Sequence, residues 1–388
     1  MSRNYKKTRV SHYIGLSGIG GVQRNFTEYL NYAISNDDNI IHKVYTFGSV
    51  DDEYCIPIKV YNIKIFFNFV SFIIDIISNR RIIHFYNNIS SVKVALLLLF
   101  LPSRNLIFHE RGSIWNLESK KLFFVKINVW KSRFILANSR ATQIMLVKKF
   151  FINEKKIKVL HNGINIDYQC TKNKFNPSIN TFFHVGFIGR LDTPKGADVA
   201  IQAMQYLTKE NVKLTVAGDG VLKKYLISKA KGLKNIKFIG RVSDPYAFIS
   251  QLDMLIVPSL REPLGNVCLE AGLCYTPVLA SNVDGIPEII THGFSGELIN
   301  PKLEATKKNV KGELPIPEFV VDPSTEKLRA PLQVDPKELG EIITNWRNNP
   351  DKIDKYAKNL HAKVVSYFNI GRYTRDLHRI YMQILKSY

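Results

Sequence analysis

Short apolar runs alternate with helical patterns twice along this chain, and that double alternation restricts the fold more than any other feature. In the first half, strand-like runs at residues 9–15, 40–46, 81–86, 105–109, 134–138 and 157–161 are separated by helical patterns at 22–33, 66–78, 90–100, 117–129 and 141–150. A polar, aperiodic stretch at 167–180 reads as a linker. The alternation then restarts, with strands at 182–189, 213–218, 236–239, 254–257 and 278–280 and helices at 197–207, 222–231, 244–251 and 267–272. Strands that are apolar on both faces and separated by helices pack as parallel sheets covered on both sides. The expected fold class is therefore α/β, with two Rossmann-like parallel-sheet domains facing each other across a cleft. Residues 301–335 are polar, proline-bearing and aperiodic, and read as a long loop insertion. Helices close the chain from 336 onward.

The bulk properties agree. A chain of 388 residues is too long for one ordinary core. Its four cysteines, Cys55, Cys170, Cys268 and Cys274, form no zinc or redox spacing, so a reducing compartment is expected and no disulfide is needed. No apolar run with a cleavage site follows the basic start, and the longest apolar stretches, 63–77 and 92–101, are too short to span a bilayer. The chain is expected to be cytoplasmic, either soluble or peripheral at the inner face of the cell membrane. Net charge is +21, and residues 1–170 hold 24 basic against 11 acidic side chains. A codon bias that inflates Lys, Asn and Ile explains this as well as an anionic partner such as lipid headgroups does.

Four segments carry chemistry. In Pro258–Glu270 (PSLREPLGNVCLE) a strand ends, a turn follows, and a helix begins near Gly265. The first amides of that helix, at Gly265, Asn266 and Val267, have no intrahelical acceptor and would face a diphosphate. Glu262 lies on the turn and Glu270 two helical turns further on. A carboxylate can accept both hydroxyls of a ribose or sugar diol, although a turn acid and a surface helix acid explain two glutamates equally well. In Gly189–Gly196 (GRLDTPKG), Arg190 and Lys195 leave a strand end around a turn. Fixed cations aimed at a departing nucleoside diphosphate are worth roughly 3–4 kcal/mol, against about 0.3–1 kcal/mol for an exposed helix N-terminus. Gly18-Ile-Gly-Gly21 follows the first strand and allows close backbone approach to a phosphate, or makes a plain tight turn. It is not the full GxGxxG fingerprint of nicotinamide enzymes. His109 ends another strand, where a packing role and a ligand role are both open.

Together these segments resemble the retaining glycosyltransferases with the GT-B fold and the E-x7-E signature (glycosyltransferase family 4, glycosyl transferases group 1), a family that includes sucrose-phosphate, phosphatidylinositol mannosyl and lipopolysaccharide sugar transferases. Glu262 and Glu270 have the required spacing. The resemblance runs from Gly15 to the C-terminal helix. It implies that Glu270 holds the donor ribose and that Glu262 contacts the transferred sugar beside the reacting carbon. It implies further that Arg190 and Lys195 bind the pyrophosphate, that Gly20 and Gly21 lie near the donor phosphate, and that His109 touches the sugar. The domains are then 1–170, joined by the C-terminal helix at about 371–388, and 171–370.

Glu110, Arg111 and Asp284 depart from the family pattern, and one further turn matches it. Glu110 and Arg111 replace commoner neighbours of the histidine and are candidates for acceptor choice. Asn162-Gly163 matches a turn at the end of the last N-terminal strand. Asp284 stands where the family has the first glycine of a Gly-Gly-x-x-Glu turn, a position of positive φ that aspartate tolerates with strain.

The expected activity is metal-independent sugar transfer from a nucleotide-sugar donor to a saccharide or lipid-linked acceptor of the cell envelope. The leaving phosphate itself is expected to take the acceptor proton, with a two-step route through an enzymatic nucleophile as the alternative. No Asp-x-Asp metal motif is present, so no metal and no cofactor are expected. The mixed basic and aromatic stretch 120–133 reads as a packed helix with a solvated lysine face, or as an interfacial helix on an anionic membrane surface. An epimerase or phosphorylase on a related scaffold is the alternative. Nucleic acid ranks last as a partner, because the sequence offers no recognition motif.

Overall fold

The computed structural model describes residues 7–385 apart from 19, 37–38, 79, 118–120, 169 and 171–181. Most of the expected linker at 167–180, together with Lys120, lies outside the described residues. The chain divides into two compact units, Met1–Asn165 with Phe368–Tyr388, and Ile166–Tyr367.

The first unit runs β1 (Thr8–Tyr13), α1 (Gly21–Asn36), β2 (Ile40–Thr46), β3 (Val60–Asn62), α2 (Phe66–Ile77), β4 (Arg81–Tyr86), α3 (Val92–Phe100), β5 (Leu106–Glu110), α4 (Leu122–Lys131), β6 (Phe134–Ala137), α5 (Arg140–Phe150) and β7 (Ile157–Val159). Its seven strands form one parallel sheet in the order β3-β2-β1-β4-β5-β6-β7. The chain winds outward from β1 to β3, then returns to β4 and winds the other way. Right-handed crossovers therefore put α1 on one face and α2 to α5 on the opposite face.

The second unit continues with β8 (Phe183–Ile188), α6 (Ala197–Ala203), β9 (Val212–Ala217), α7 (Lys223–Lys229), β10 (Ile236–Gly240), α8 (Pro245–Ser250), β11 (Met254–Val257), α9 (Asn266–Leu273), β12 (Val278–Ser281), α10 (Ile286–Ile289) and β13 (Glu297–Ile299). Then come β14 (Leu303–Glu304), β15 (Val320–Asp322), β16 (Lys327–Arg329), β17 (Leu332–Gln333), α11 (Pro336–Arg347) and α12 (Pro350–Tyr367). The last helix, α13 (Ile370–Leu385), packs with α1 in the first unit, where Tyr373 meets Tyr29 edge-on. The second sheet has six strands, all parallel, in the order β10-β9-β8-β11-β12-β13. Several helix starts carry legible caps: the side chains of Ser91, Ser139, Asp244 and Asp335 each accept an amide of the turn they open.

Four features differ from the sequence-based expectation. The strands β3 and β13 are only three residues long and carry no readable period. The segment 301–335 is not a plain loop, because it contains two short antiparallel pairs, β14 with β17 and β15 with β16. Helix α4 begins at Leu122 instead of 117. Cys170 and Cys274 are joined in a disulfide across 104 residues, where no disulfide was expected to be needed; Cys55 and Cys268 are free. Spacing cannot reveal such a bond, since the fold alone brings the two sulfurs together.

The acid that interrupts the apolar stretch 63–77 also has an explanation. Asp75 is buried, accepts from Ser11 Oγ at 2.9 Å and Tyr45 OH at 2.8 Å, and faces Arg81 Nε at 3.0 Å. The opposite side of α2 carries Phe66, Phe67, Val70, Ile74 and Ile77 into solvent, with Phe67 80% exposed. Helix α3 shows Leu96, Leu99 and Phe100 in the same way, with Phe100 85% exposed, and α4 shows Phe123 and Trp130. No described helix is long and apolar enough to cross a membrane.

Candidate active site

In the second sheet the strand order reverses between β8 and β11. Open α/β sheets bind ligands at that switch point, outside the carboxyl ends of the strands. The loops leaving these two strands are 189–196 and 258–265, the segments singled out by their chemistry. Backbone stitches them together, with the amide of Leu260 donating to the Pro194 carbonyl at 3.0 Å, and Gly285, after β12, donates to the Glu262 carbonyl at 3.1 Å. Gly196 has φ +70°, and a Cβ there would collide with the carbonyl oxygen of Pro258, so only glycine lets the two loops meet. Gly265, with φ +100°, precedes α9 and brings the helix start against Glu262.

The central contact is an ion pair. Lys195 Nζ lies 2.6 Å from Glu262 Oε2, with Ser259 Oγ 3.4 Å from the same oxygen. Glu262 is 7% exposed, and its amide donates to Asp284 Oδ2 at 2.9 Å. Arg190 Nε lies 2.8 Å from Asp192 Oδ2, while its side chain is 63% exposed. Asp192 is buried beneath the loop. Burial holds its carboxyl above the usual carboxylate range, although the charges of Arg190, Lys195 and Arg261 act downward. Burial lowers Arg261, opposed by Asp284, Glu262 and Asp192. The loops thus concentrate three cations and three carboxylates at one strand edge. An anionic ligand arriving there would share Lys195 with Glu262 and take Arg190 from an exposed position. Glu270 is half-buried on α9, five residues after Gly265. Asn266 and Val267 open that helix. The structure therefore brings Arg190, Lys195, Glu262, Gly265, Asn266, Val267 and Glu270 together on two neighbouring loops and one helix of the second unit.

In the first unit Gly20 and Gly21 lead into α1 after β1, at that sheet's own switch point between β1 and β4. The Gly20 amide donates to Tyr54 OH at 3.0 Å, and Tyr54 OH donates to the Gly18 carbonyl at 3.1 Å, which ties the loop to the segment after β2.

His109 has a different setting from the one the resemblance implied. It is buried at the end of β5, stacked on His84 with ring centroids 5.4 Å apart, and neither ring nitrogen has a hydrogen-bond partner. Burial, reinforced by the nearby Arg111 charge, lowers its pKa well below the usual imidazole value. This is the environment of a packed, neutral ring. Glu110 and Arg111 are also internal, which removes them as acceptor-choosing side chains. Glu110 accepts the amides of Gly112 at 2.8 Å and Ser113 at 2.5 Å. Arg111 donates to Asn162 Oδ1 at 2.7 Å and to Asn25 Oδ1, pinning the Asn162-Gly163 turn to α1. A Cβ on Gly163 would strike the N-terminus of α13, so that turn is a packing feature.

Comparison with known proteins bears on this arrangement. Residues 171–311 match the family model of glycosyl transferases group 1. HepE of Anabaena, solved in complex with UDP and glucose, superposes with a TM-score of 0.72 over 97% of this chain and 100% of that one, at 20% identity. The fold is GT-B. The GT-B chain is 30% identical over 207 residues to an uncharacterized glycosyltransferase of Methanocaldococcus jannaschii, covering 49% of this chain and 53% of that protein. It is 29% identical over 190 residues to the capsular polysaccharide biosynthesis glycosyltransferase CapM of Staphylococcus aureus, covering 45% and 50%. This GT-B chain spans about half the length of the curated relatives it matches.

Asp284 and the segment 301–335 also reach the site loops. In the sequence only one signal marks them, an aspartate in a glycine position, and nothing indicates its partner.

Proposed function

We propose that the chain is a retaining, metal-independent glycosyltransferase that moves a sugar from a nucleotide-sugar donor to a saccharide or lipid-linked acceptor of the cell envelope. The observation that carries this reading is the Lys195–Glu262 pair at the switch point of the second sheet, with Arg190 beside it and Glu270 on the helix that follows. Two cations there can neutralise the diphosphate of a leaving nucleotide, which is the work a metal would otherwise do. Glu270 is assigned to the ribose hydroxyls and Glu262 to the transferred sugar. The same-face geometry of a retaining reaction follows if the leaving phosphate takes the acceptor proton. The spacing of Glu262 and Glu270 supports membership of the family with the E-x7-E signature. The likeness to CapM favours a polysaccharide acceptor, and the UDP complex of HepE favours a nucleotide-sugar donor.

A nucleotide-sugar donor also favours a cytoplasmic site of action, at the inner face of the cell membrane. The outward apolar rows of α2, α3 and α4 support peripheral docking there. Their exposed Lys64, Arg80, Lys93, Arg104, Lys121 and Lys126 have no exposed acid among them over 64–104 and 121–131. Each such cation adds about 1 kcal/mol near an anionic surface. Flotation of the protein with vesicles rich in anionic lipid at low salt tests the docking; protein left at the bottom of the gradient refutes it. The activity itself is tested by incubating the protein with a panel of nucleotide sugars and envelope saccharides in the presence of EDTA. Transfer with retained anomeric configuration supports the proposal, and a strict need for Mn²⁺ or Mg²⁺ contradicts it.

A further inference from the structure

The segment 301–335 grips the candidate site from two directions. On one side the Glu313 carboxylate accepts the Lys308 amide at 3.0 Å to each oxygen, and it accepts the hydroxyl of Thr193. Thr193 opens the turn that carries Lys195. Partial burial acts upward on the Glu313 carboxyl, but these bonds outweigh it and hold its pKa below the usual carboxylate range. Lys308 Nζ adds a 2.6 Å pair to Asp198 Oδ2 in the first turn of α6, directly behind the same turn, with both side chains buried.

On the other side, β15 clasps Asp284. The Val321 amide donates to Asp284 Oδ1 at 2.7 Å, and the Asp284 amide donates to the Val321 carbonyl at 3.0 Å. The remaining oxygen of Asp284 accepts the Glu262 amide. Asp284 sits at φ +48°, where glycine would be relaxed and an L side chain carries strain. What the aspartate supplies in exchange is an acceptor with two faces, one toward the segment and one toward Glu262. Lys195 and Glu262 are themselves bonded, so the two grips hold opposite ends of one ion pair.

We propose that residues 301–335 are a strap that positions the diphosphate end of the donor site, with Glu313 setting Lys195 through Thr193 and Val321 setting Glu262 through Asp284. The strap rests on the donor-site reading above. Its residues are positioning residues: each acts through a loop residue that in turn holds Lys195 or Glu262.

The test uses the full chain, with UDP, GDP and ADP as probes in calorimetry and with steady-state kinetics on the best donor. Glu313→Ala, Thr193→Val and Asp284→Gly should each weaken nucleoside diphosphate binding and raise donor KM about 10- to 100-fold, the usual effect of sub-ångström to ångström misplacement. Acceptor KM should stay unchanged while donor KM rises, whereas a general loss of folded protein would lower Vmax and leave both KM values as they were. Glu313→Gln keeps an acceptor for the Thr193 hydroxyl and should recover most of the loss. Should Glu313→Ala fail to fold, Thr193→Val removes a single hydroxyl and carries the test alone. Wild-type protein that binds a nucleoside diphosphate, with folded variants that bind it equally well, overturns the strap alone. Wild-type protein that binds none of the three overturns the donor-site reading and the strap with it.

Discussion

Lowering the pH should unfold the first unit by a route that its core makes quantitative. His12, His84 and His109 are buried together with Tyr29, Tyr86 and Tyr381. His84 Nδ1 shares a 2.7 Å hydrogen bond with Tyr381 OH, and His12 Nε2 shares one of 3.0 Å with His42. Burial, and then repulsion from neighbouring imidazoles or Arg111, lowers all three well below the ordinary value of 6.5. In the unfolded chain they protonate normally as the pH falls below that value, while the folded rings stay neutral. The stability is therefore fully present above 6.5, and it is lost as the pH drops, until the folded rings themselves titrate. Centred on 6.5, each ring removes about 1.4 kcal/mol in all between about pH 7.5 and 5.5, so three remove about 4 kcal/mol. That is a large part of the roughly 5–15 kcal/mol of a typical domain. Hydrogen exchange of the β4 and β5 amides, read by mass spectrometry across this range, reports the first unit alone. His109→Leu removes one titrating ring without breaking a hydrogen bond, and should reduce the slope by about 0.7 kcal/mol per pH unit averaged over this range. An opening free energy that stays flat over this range, or an unchanged slope in the variant, would refute the reasoning.

Two further outcomes follow from the second unit. Gly196→Ala should cost at least about 1–2 kcal/mol from the left-handed backbone alone, with the collision against Pro258 added, so thermal unfolding of the second unit should come earlier and nucleoside diphosphate binding should be lost. Wild-type melting and binding in the Gly196→Ala protein would show that the two loops do not need their close approach. Reducing the Cys170–Cys274 bond opens a loop of 104 residues, worth up to about 4.7 kcal/mol in chain entropy. Thiol titration in denaturant should find two reactive cysteines before reduction and four after; four before reduction would show that the pair exists as thiols.

The sequence was most legible where physics leaves few options. Parallel strands covered on both faces must be apolar runs, so most strands of both sheets were readable, whereas β3 and β13 were too short to show a period. The loops 189–196 and 258–265 were readable because strand ends, glycines and charges coincide there. Their joining was not, since Lys195 and Glu262 are 67 residues apart and only the order of β8 and β11 brings them to one edge. His109 shows the opposite limit, because a strand-end histidine looks the same in sequence whether it faces a ligand or stacks in a core. The role of 301–335 was hidden for a similar reason: its contacts run through single residues, Glu313 and Val321, that no pattern marks. Asp284 was the one visible sign, an aspartate where backbone strain favours glycine.

The most direct test of the account is calorimetric binding of nucleoside diphosphates to wild type, Lys195→Ala, Arg190→Ala and Glu270→Ala, without metal. The account predicts that one diphosphate binds the wild type, that losing either cation weakens binding by roughly 100-fold or more, and that the Glu270 variant loses preference for a ribonucleotide over its deoxyribose counterpart. Equal binding by all four proteins, or binding that appears only with a divalent metal, would contradict it.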